Sequence, residues 1–264
     1  MFWDSPEINK TILIIPNYTF PKDLGKDSFV DVIYQHIKQI EGVQWILPVP
    51  KGKGVGKLNL PNVTQVQCNI SGDKIKMRSM FPEDVIKLIK KNDYDCVYSH
   101  LPDWDVGRYT NKPIIGYSHW WEMKECNGTS WLNYTLNLSH ELINILQFDV
   151  CYLNTHHQKR LVLDNAKEVF NDTIVSKLDS ILKVMNLSVN KENIVEKPSE
   201  EFEKVVVFNH RTQKYKGWDK FLTYIEKYRE HRTDFKVWVP LLDKPVEHSW
   251  IDSSKYDKEQ YLQL

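Results

Sequence analysis

The stretch 205–222, VVVFNHRTQKYKGWDKFL, decides how the rest of the chain is read. A short apolar run, Val205 to Phe208, ends in a polar turn that carries Arg211, Lys216 and Gly217. Trp218, Phe221, Leu222 and Ile225 then fall at helical spacing. This is the pattern of a strand, a cationic loop and a helix start. A guanidinium fork, a lysine point charge and the backbone N–H groups of a helix N-terminus suit the two phosphates of a nucleoside diphosphate. Fixed cations also stabilise charge on a diphosphate leaving group without having to reorganise. The plainer reading of the same residues is a solvated basic turn between a strand and a helix.

Working outward, strand-like and helix-like patterns alternate along the chain. Short apolar runs at 11–16 (TILIIP), 43–48, 63–70, 94–98, 113–117 and 150–153 read as strands. Helical spacing is found at 28–40, 82–91 and 139–146, with Pro82, Glu83 and Asp84 in the first turn of the second of these. This βαβ rhythm predicts a parallel sheet covered by helices, with its sites at the carboxyl ends of the strands. The charged stretch 189–203, which contains Pro198, reads as a boundary. It separates a first domain, 1–195, from a second, 203–264, made of a strand at 205–208, a helix at 217–230, a strand at 235–240 and a helix over 255–264.

Composition sets the bounds. The 264 residues carry 35 Lys plus Arg against 35 Asp plus Glu, so no overall basic field steers nucleic acid to the chain. Four cysteines without a CxxC pair offer neither a zinc ribbon nor a redox motif. The N-terminal residues lack the pattern of a signal peptide, and no apolar run reaches the length of a membrane span. These features lead to the expectation of a soluble, cytoplasmic protein.

The segment Arg211-Thr212-Gln213-Lys214-Tyr215-Lys216-Gly217, at the opening of the second domain, resembles the donor-site turn of the phage DNA glucosyltransferases of the T-even α type. These are glycosyltransferases built from two Rossmann-like domains, the GT-B arrangement. The resemblance implies an α/β fold of that kind and a retaining transfer of a hexose from a nucleotide sugar such as UDP-glucose. It places the donor diphosphate on Arg211, Lys216 and Gly217, and implies neither a metal nor another cofactor. It also implies an acceptor hydroxyl on a modified base of double-stranded DNA, and hence a host-cell cytoplasmic location for a phage-encoded enzyme. The family carries, deeper in its donor domain, two glutamates seven residues apart. No such pair follows Lys216, so the second domain is expected to be incomplete, with a C-terminal fragment as a partner.

A second candidate follows the strand at 113–117. Ser118-His119-Trp120-Trp121-Glu122 projects a histidine, two indoles and a carboxylate from a strand end. The resemblance implies site roles for His119 and Glu122 there, although the family has an aspartate where this chain has Trp120. Trp104, Trp120 and Trp121 are candidate exposed surfaces for stacking a flipped acceptor base. Packing of the His-Trp-Trp group against the core is the competing reading. Tyr98, His100, Asp103, Asp105 and Arg108 are candidates for the same acceptor cleft, as are His156 and His157 where Asn154 and Thr155 open a helix. The Gly-rich KGKGVGK at 51–57 lacks P-loop spacing and reads as a surface loop, or as a loop tracking DNA phosphates. A transferase acting on a surface polysaccharide or lipid, and a non-catalytic binding module, remain alternatives, with an epimerase of related architecture behind them.

Overall fold

The structure is a computed structural model that describes residues 10–15, 28–51, 60–70, 81–100, 102, 104–118, 140–186, 204–210, 212, 214–240 and 248–253. The chain divides into two compact units, Met1–Ser188 and Val189–Leu264.

The first unit is built on seven parallel strands: β1 (Lys10–Ile15), β2 (Val43–Pro50), β3 (Val63–Cys68), β4 (Cys96–Ser99), β5 (Ile114–Ser118), β6 (Val150–Leu153) and β7 (Leu182–Val184). Their order across the sheet is β3-β2-β1-β4-β5-β6-β7, so the chain reverses its direction of growth between β1 and β4. That is the order of a doubly wound Rossmann sheet, and the crevice beyond the carboxyl ends of β1 and β4 is its switch point.

Strands buried on both faces need apolar side chains at successive positions, not alternate ones. Leu13, Ile14 and Ile15 of β1 are all fully buried. Leu13 and Ile15 join one core, and Ile14 joins the other on the opposite face. The helix α1 (Ser28–Gln39) covers the Ile14 side with Ile33 and Ile37. The helices α2 (Glu83–Lys91), α3 (140–145), α4 (His156–Ala166) and α5 (Asp172–Ile181) cover the other side, through residues such as Leu88, Leu142, Val162 and Leu178. Each large aliphatic side chain buried this way contributes about 1.5–3 kcal/mol.

The second unit carries a smaller parallel sheet of β8 (Val205–Val207), β9 (Lys236–Trp238) and β10 (Ile251–Asp252), in the order β10-β9-β8. The helix α6 (Trp218–Arg229) packs on one face through Trp218 and Ile225, against Phe208, Val237 and Val239.

Several boundaries differ from those expected. Tyr94 belongs to the approach to β4, where its hydroxyl donates to the Ile89 carbonyl at the end of α2. Pro82 is the N-cap of α2 and not part of its first turn. The helix α5 and the strands β7 and β10 are not anticipated by the periodicity. The expected helix over 255–264 and the whole boundary segment 189–203 lie outside the described residues.

Candidate functional site

In the first unit, polar side chains gather where β4, β5 and β6 end. The strand ends supply Ser99, His100 and Ser118, each almost fully buried. His100 is fixed by its backbone N–H, which donates to the Ile15 carbonyl at 2.9 Å and so ties β4 to β1 at the switch point. Its ring lies edge-on to Tyr98, centroids 4.6 Å apart, and 5.3 Å from the ring of Tyr117. Tyr98 is hydrogen-bonded to His36 Nδ1 of α1 at 3.0 Å. Burial pushes the Tyr98 hydroxyl strongly up and that of Tyr117 up to about 12, while it lowers His36. Near neutral pH the two phenols are therefore donors and His36 is uncharged.

The β5 and β6 ends are tied to each other. The Tyr117 hydroxyl donates to Asn154 Oδ1 at 2.6 Å. Thr155 caps α4 by accepting from the Gln158 N–H at 3.0 Å. The buried Gln158 side chain accepts from the Asn154 N–H at 2.9 Å and donates through Nε2 to the Ser118 carbonyl at 3.3 Å. Thr155-x-x-Gln158 has the spacing of a capping box, but its glutamine accepts from the N–H of Asn154, the residue before the cap, and it also joins the next strand. The helix start at Asn154 and Thr155 is as expected; the role of Gln158 between strands is not visible in the periodicity.

Of the residues expected in this region, His119, Trp120, Trp121 and Glu122 lie outside the described residues, as does Asp103. Trp104 is described, and its expected exposure is corrected. Only 2% of it is accessible, and its indole stacks on Phe81 with centroids 4.5 Å apart. The loop that carries it is pinned by α3, whose Asn144 Nδ2 donates to the Pro102 carbonyl at 3.0 Å. The exposed His156 and His157 sit in the first turn of α4, with Arg160 3.1 Å from His157 Nδ1. Lys159 instead joins α4 to α5 through Asp179, at 2.7 Å. Of the Gly-rich loop only Lys51 is described, and its ammonium lies 3.3 Å from Asp84. The Asn69 N–H, followed by Lys51, holds the Asp84 carboxyl below the usual carboxylate range.

In the second unit, β8 leads to the turn that the sequence singles out. Arg211 and Gln213 lie outside the described residues. Lys214–Lys216 form a single 3-10 turn, closed by the Gly217 N–H donating to the Lys214 carbonyl at 3.0 Å. Gly217 is the N-cap of α6, with φ 79°, in the left-handed region where a Cβ is strained. A Cβ there would meet nothing within 4 Å, so the backbone angle and not crowding calls for glycine. The helical ladder starts with the Phe221 N–H donating to the Gly217 carbonyl at 2.9 Å. The amides of Trp218, Asp219 and Lys220 thus precede it, as the first turn of any helix requires. Trp218 is not a stacking surface. It is buried against Phe208 and Phe221, at centroid distances of 5.1 and 5.7 Å, and anchors the turn to the core. Lys214, Lys216 and Asp219 are exposed. Asp219 suits the positive end of the helix dipole and also opposes an anion bound there.

Among the described residues, no group of three or more His, Cys, Asp or Glu side chains is placed to hold a metal ion. No described helix is long and apolar enough to cross a membrane.

Neither a family model nor a curated protein sequence matches the chain. Its backbone is similar to several solved structures. Anabaena Alr3699/HepE in complex with UDP and glucose aligns over 87% of this chain and 60% of its own, at 11% identity and a TM-score of 0.52. A trehalose-6-phosphate structure from E. coli bound with UDP-2-fluoro glucose aligns over 87% and 64%, at 12% identity and a TM-score of 0.54. A trehalose-6-phosphate synthase, OtsA, aligns over the same shares at 13% identity and 0.54. The chain therefore spans 60% to 64% of the length of these structures. At such identities the likeness concerns the fold: the chain has the α/β, Rossmann-like GT-B architecture of proteins that have been solved with UDP or a UDP-sugar.

Proposed function

We propose that the chain is a glycosyltransferase, or the larger part of one, that takes a hexose from a nucleotide sugar. The observation that carries this reading is the turn between β8 and α6. A parallel strand ends in a basic 3-10 turn, and a left-handed glycine then opens a helix whose first amides precede the hydrogen-bonded ladder. This is an arrangement for a diphosphate, and it occurs within a fold that other proteins use to bind UDP and UDP-sugars. Arg211 and Lys216 hold the diphosphate, and Gly217 sets the angle at which α6 meets it. In the transfer an acceptor hydroxyl oxygen bonds to the anomeric carbon while the bond from that carbon to the diphosphate oxygen breaks, and the hydroxyl proton passes to the departing diphosphate oxygen. The cations and the helix end take up the charge that develops on the departing UDP.

His119 and Glu122, following β5, are the groups we assign to the sugar and to the acceptor. The resemblance to phage DNA glucosyltransferases makes a hydroxylated base in duplex DNA the first acceptor to try, with retention at the anomeric carbon. With Trp104 buried, Trp120 and Trp121 are the indoles left to stack on such a base.

The test is calorimetry with UDP and UDP-glucose on the chain and on the Arg211→Ala/Lys216→Ala double variant. Binding by the chain and at least a tenfold weakening in the variant are expected, since each charge-assisted contact is worth about 1.5–3 kcal/mol. Equal binding by both would remove the diphosphate from this turn.

A further inference from the structure

We propose that one solvent-exposed face of α6 is a short binding surface for single-stranded nucleic acid, with two tyrosine rings taking unpaired bases and the lysines beside them taking phosphates. The inference goes beyond the donor-site reading and does not depend on it.

The residues of α6 and its C-cap sort onto three faces. Trp218 and Ile225 are buried in the core of the second unit. Asp219, Glu226 and Glu230, seven and then four residues apart, are exposed along a second face. Lys220, Tyr224, Lys227 and Tyr228, at i, i+4, i+7 and i+8, are exposed along a third. A basic and aromatic face therefore runs beside an acidic one, unmixed with it, for about 12 Å at the rise of a helix.

Both kinds of side chain on this face are unusual for the molecule. Tyr224, 72% accessible, is the most exposed large apolar side chain among the described residues. Tyr228 is 49% accessible and already fixed, its ring 5.5 Å from that of Phe235, so little ordering is left for binding to impose. Among the described residues, Lys87, Lys159, Lys167 and Lys204 each have a carboxylate at ion-pair distance, whereas Lys220 and Lys227 have none. Lys220 is also the third residue of α6, at the positive end of the helix dipole, where a cation is unfavourable until an anion arrives.

Cations interleaved with aromatic rings match a polyanion whose repeating unit has both a phosphate and a free π-face, which is a single strand. A duplex keeps its bases stacked on one another, so the rings gain nothing from it and only the lysines act. With the acidic face adjacent and the whole chain neutral, those lysines pull weakly and at short range. A bilayer is a poorer match, because an interfacial helix sinks its apolar face into the lipid and that of α6 is buried against β8 and β9.

The test is fluorescence anisotropy on the full chain, without UDP, using a labelled oligothymidylate and a duplex of equal length. The oligothymidylate is expected to bind, and the duplex to bind at least about fivefold more weakly. Tyr224→Ala is expected to weaken oligothymidylate binding by about fivefold or more, the low end of what one base–aromatic stack is worth, while Tyr224→Phe keeps the parent affinity. Lys220→Gln/Lys227→Gln is expected to flatten the salt slope by about 1.4, at about 0.7 per phosphate released. Glu230→Gln, on the acidic face, weakens nothing. These side chains are exposed, and thermal melts verify that the variants are folded.

Parent affinity in Tyr224→Ala, or equal affinity for duplex and single strand, overturns the proposal. So does displacement of the oligothymidylate by UDP, which would show that it merely occupies the turn before α6. Failure to bind oligothymidylate overturns it as well. Binding instead of polygalacturonate, or of phosphatidylglycerol vesicles, then assigns the face to an acidic glycan or to a membrane. UDP calorimetry on Arg211→Ala/Lys216→Ala is read separately, so a failure here and a failure of the donor-site reading are distinguishable.

Discussion

At the scale of single residues, Gly217 and His36 carry opposite kinds of constraint. Gly217 holds φ at 79° with open space around it, so replacement by alanine adds backbone strain and no clash. Gly217→Ala is expected to destabilise the second unit by about 1–2 kcal/mol, and Gly217→Asn by less, because Asn tolerates the left-handed region. Thermal melts that rank Gly above Asn above Ala check this; an alanine variant as stable as the parent contradicts it. His36 is constrained by burial, which lowers its pKa from 6.5. Between the lowered value and 6.5 the unfolded chain binds a proton that the folded chain does not. Stability is therefore full above 6.5 and falls as the pH drops through that window. Melts of His36→Gln are expected to lose part of that acid sensitivity while the parent retains it. Equal slopes in the two proteins would show that His36 is not the group responsible.

At the scale of elements, what was legible follows from how each element is specified. The strands β1 and β5 stand out as apolar runs because a doubly wound sheet buries both faces of its central strands. The start of α4 is legible because Thr155 is a side-chain cap, and caps are local. β7 is not, because Leu182–Val184 is only three residues long and follows α5 directly, with no turn residue to mark a boundary. Trp104 has the sequence surroundings of an exposed loop aromatic, and only tertiary packing against Phe81 shows otherwise. Gln158 likewise signals a helix start in the sequence, while its bond to Ser118 depends on which strand lies beside β6.

Gly116 of β5 is specified in the same non-local way. A Cβ there would lie 2.4 Å from the ring of Phe148 and 3.1 Å from the buried Cys151 sulfur. Gly116→Ala must displace a ring that is itself in the core, and about 1–3 kcal/mol of destabilisation is expected. Denaturant titration checks it. Gly116→Ala combined with Phe148→Leu should recover part of the loss, and an absence of coupling between the two would contradict the contact.

At the scale of the whole molecule, charge balance bears on the acceptor. Lys plus Arg equals Asp plus Glu at 35 each, and the pI is near 7.1, so no long-range field draws a polyanion to the chain. Several of the described cations are also committed: Lys204 and Arg232 to Asp234, Lys51 to Asp84 and Lys159 to Asp179. Proteins that hold DNA non-specifically do so with roughly 10⁻⁴–10⁻⁶ M dissociation constants through many phosphate contacts, and lose affinity steeply with salt. This chain is expected at the weak end of that range or beyond it for unmodified duplex, with a shallow salt slope. At the proposed donor site, affinity for UDP would rest on a few fixed charges at one turn and should change far less between low and physiological salt. Fluorescence anisotropy with unmodified and hydroxymethylated duplexes over a salt series, beside UDP calorimetry over the same series, measures both quantities. Tight, salt-sensitive retention of unmodified duplex would contradict the charge argument and locate a basic face. Retention of the hydroxymethylated duplex alone would mean that the hydroxyl itself is recognised. Binding of neither duplex, with UDP binding intact, would leave the donor site standing and move the acceptor search to neutral polysaccharides, which need no field to reach the site.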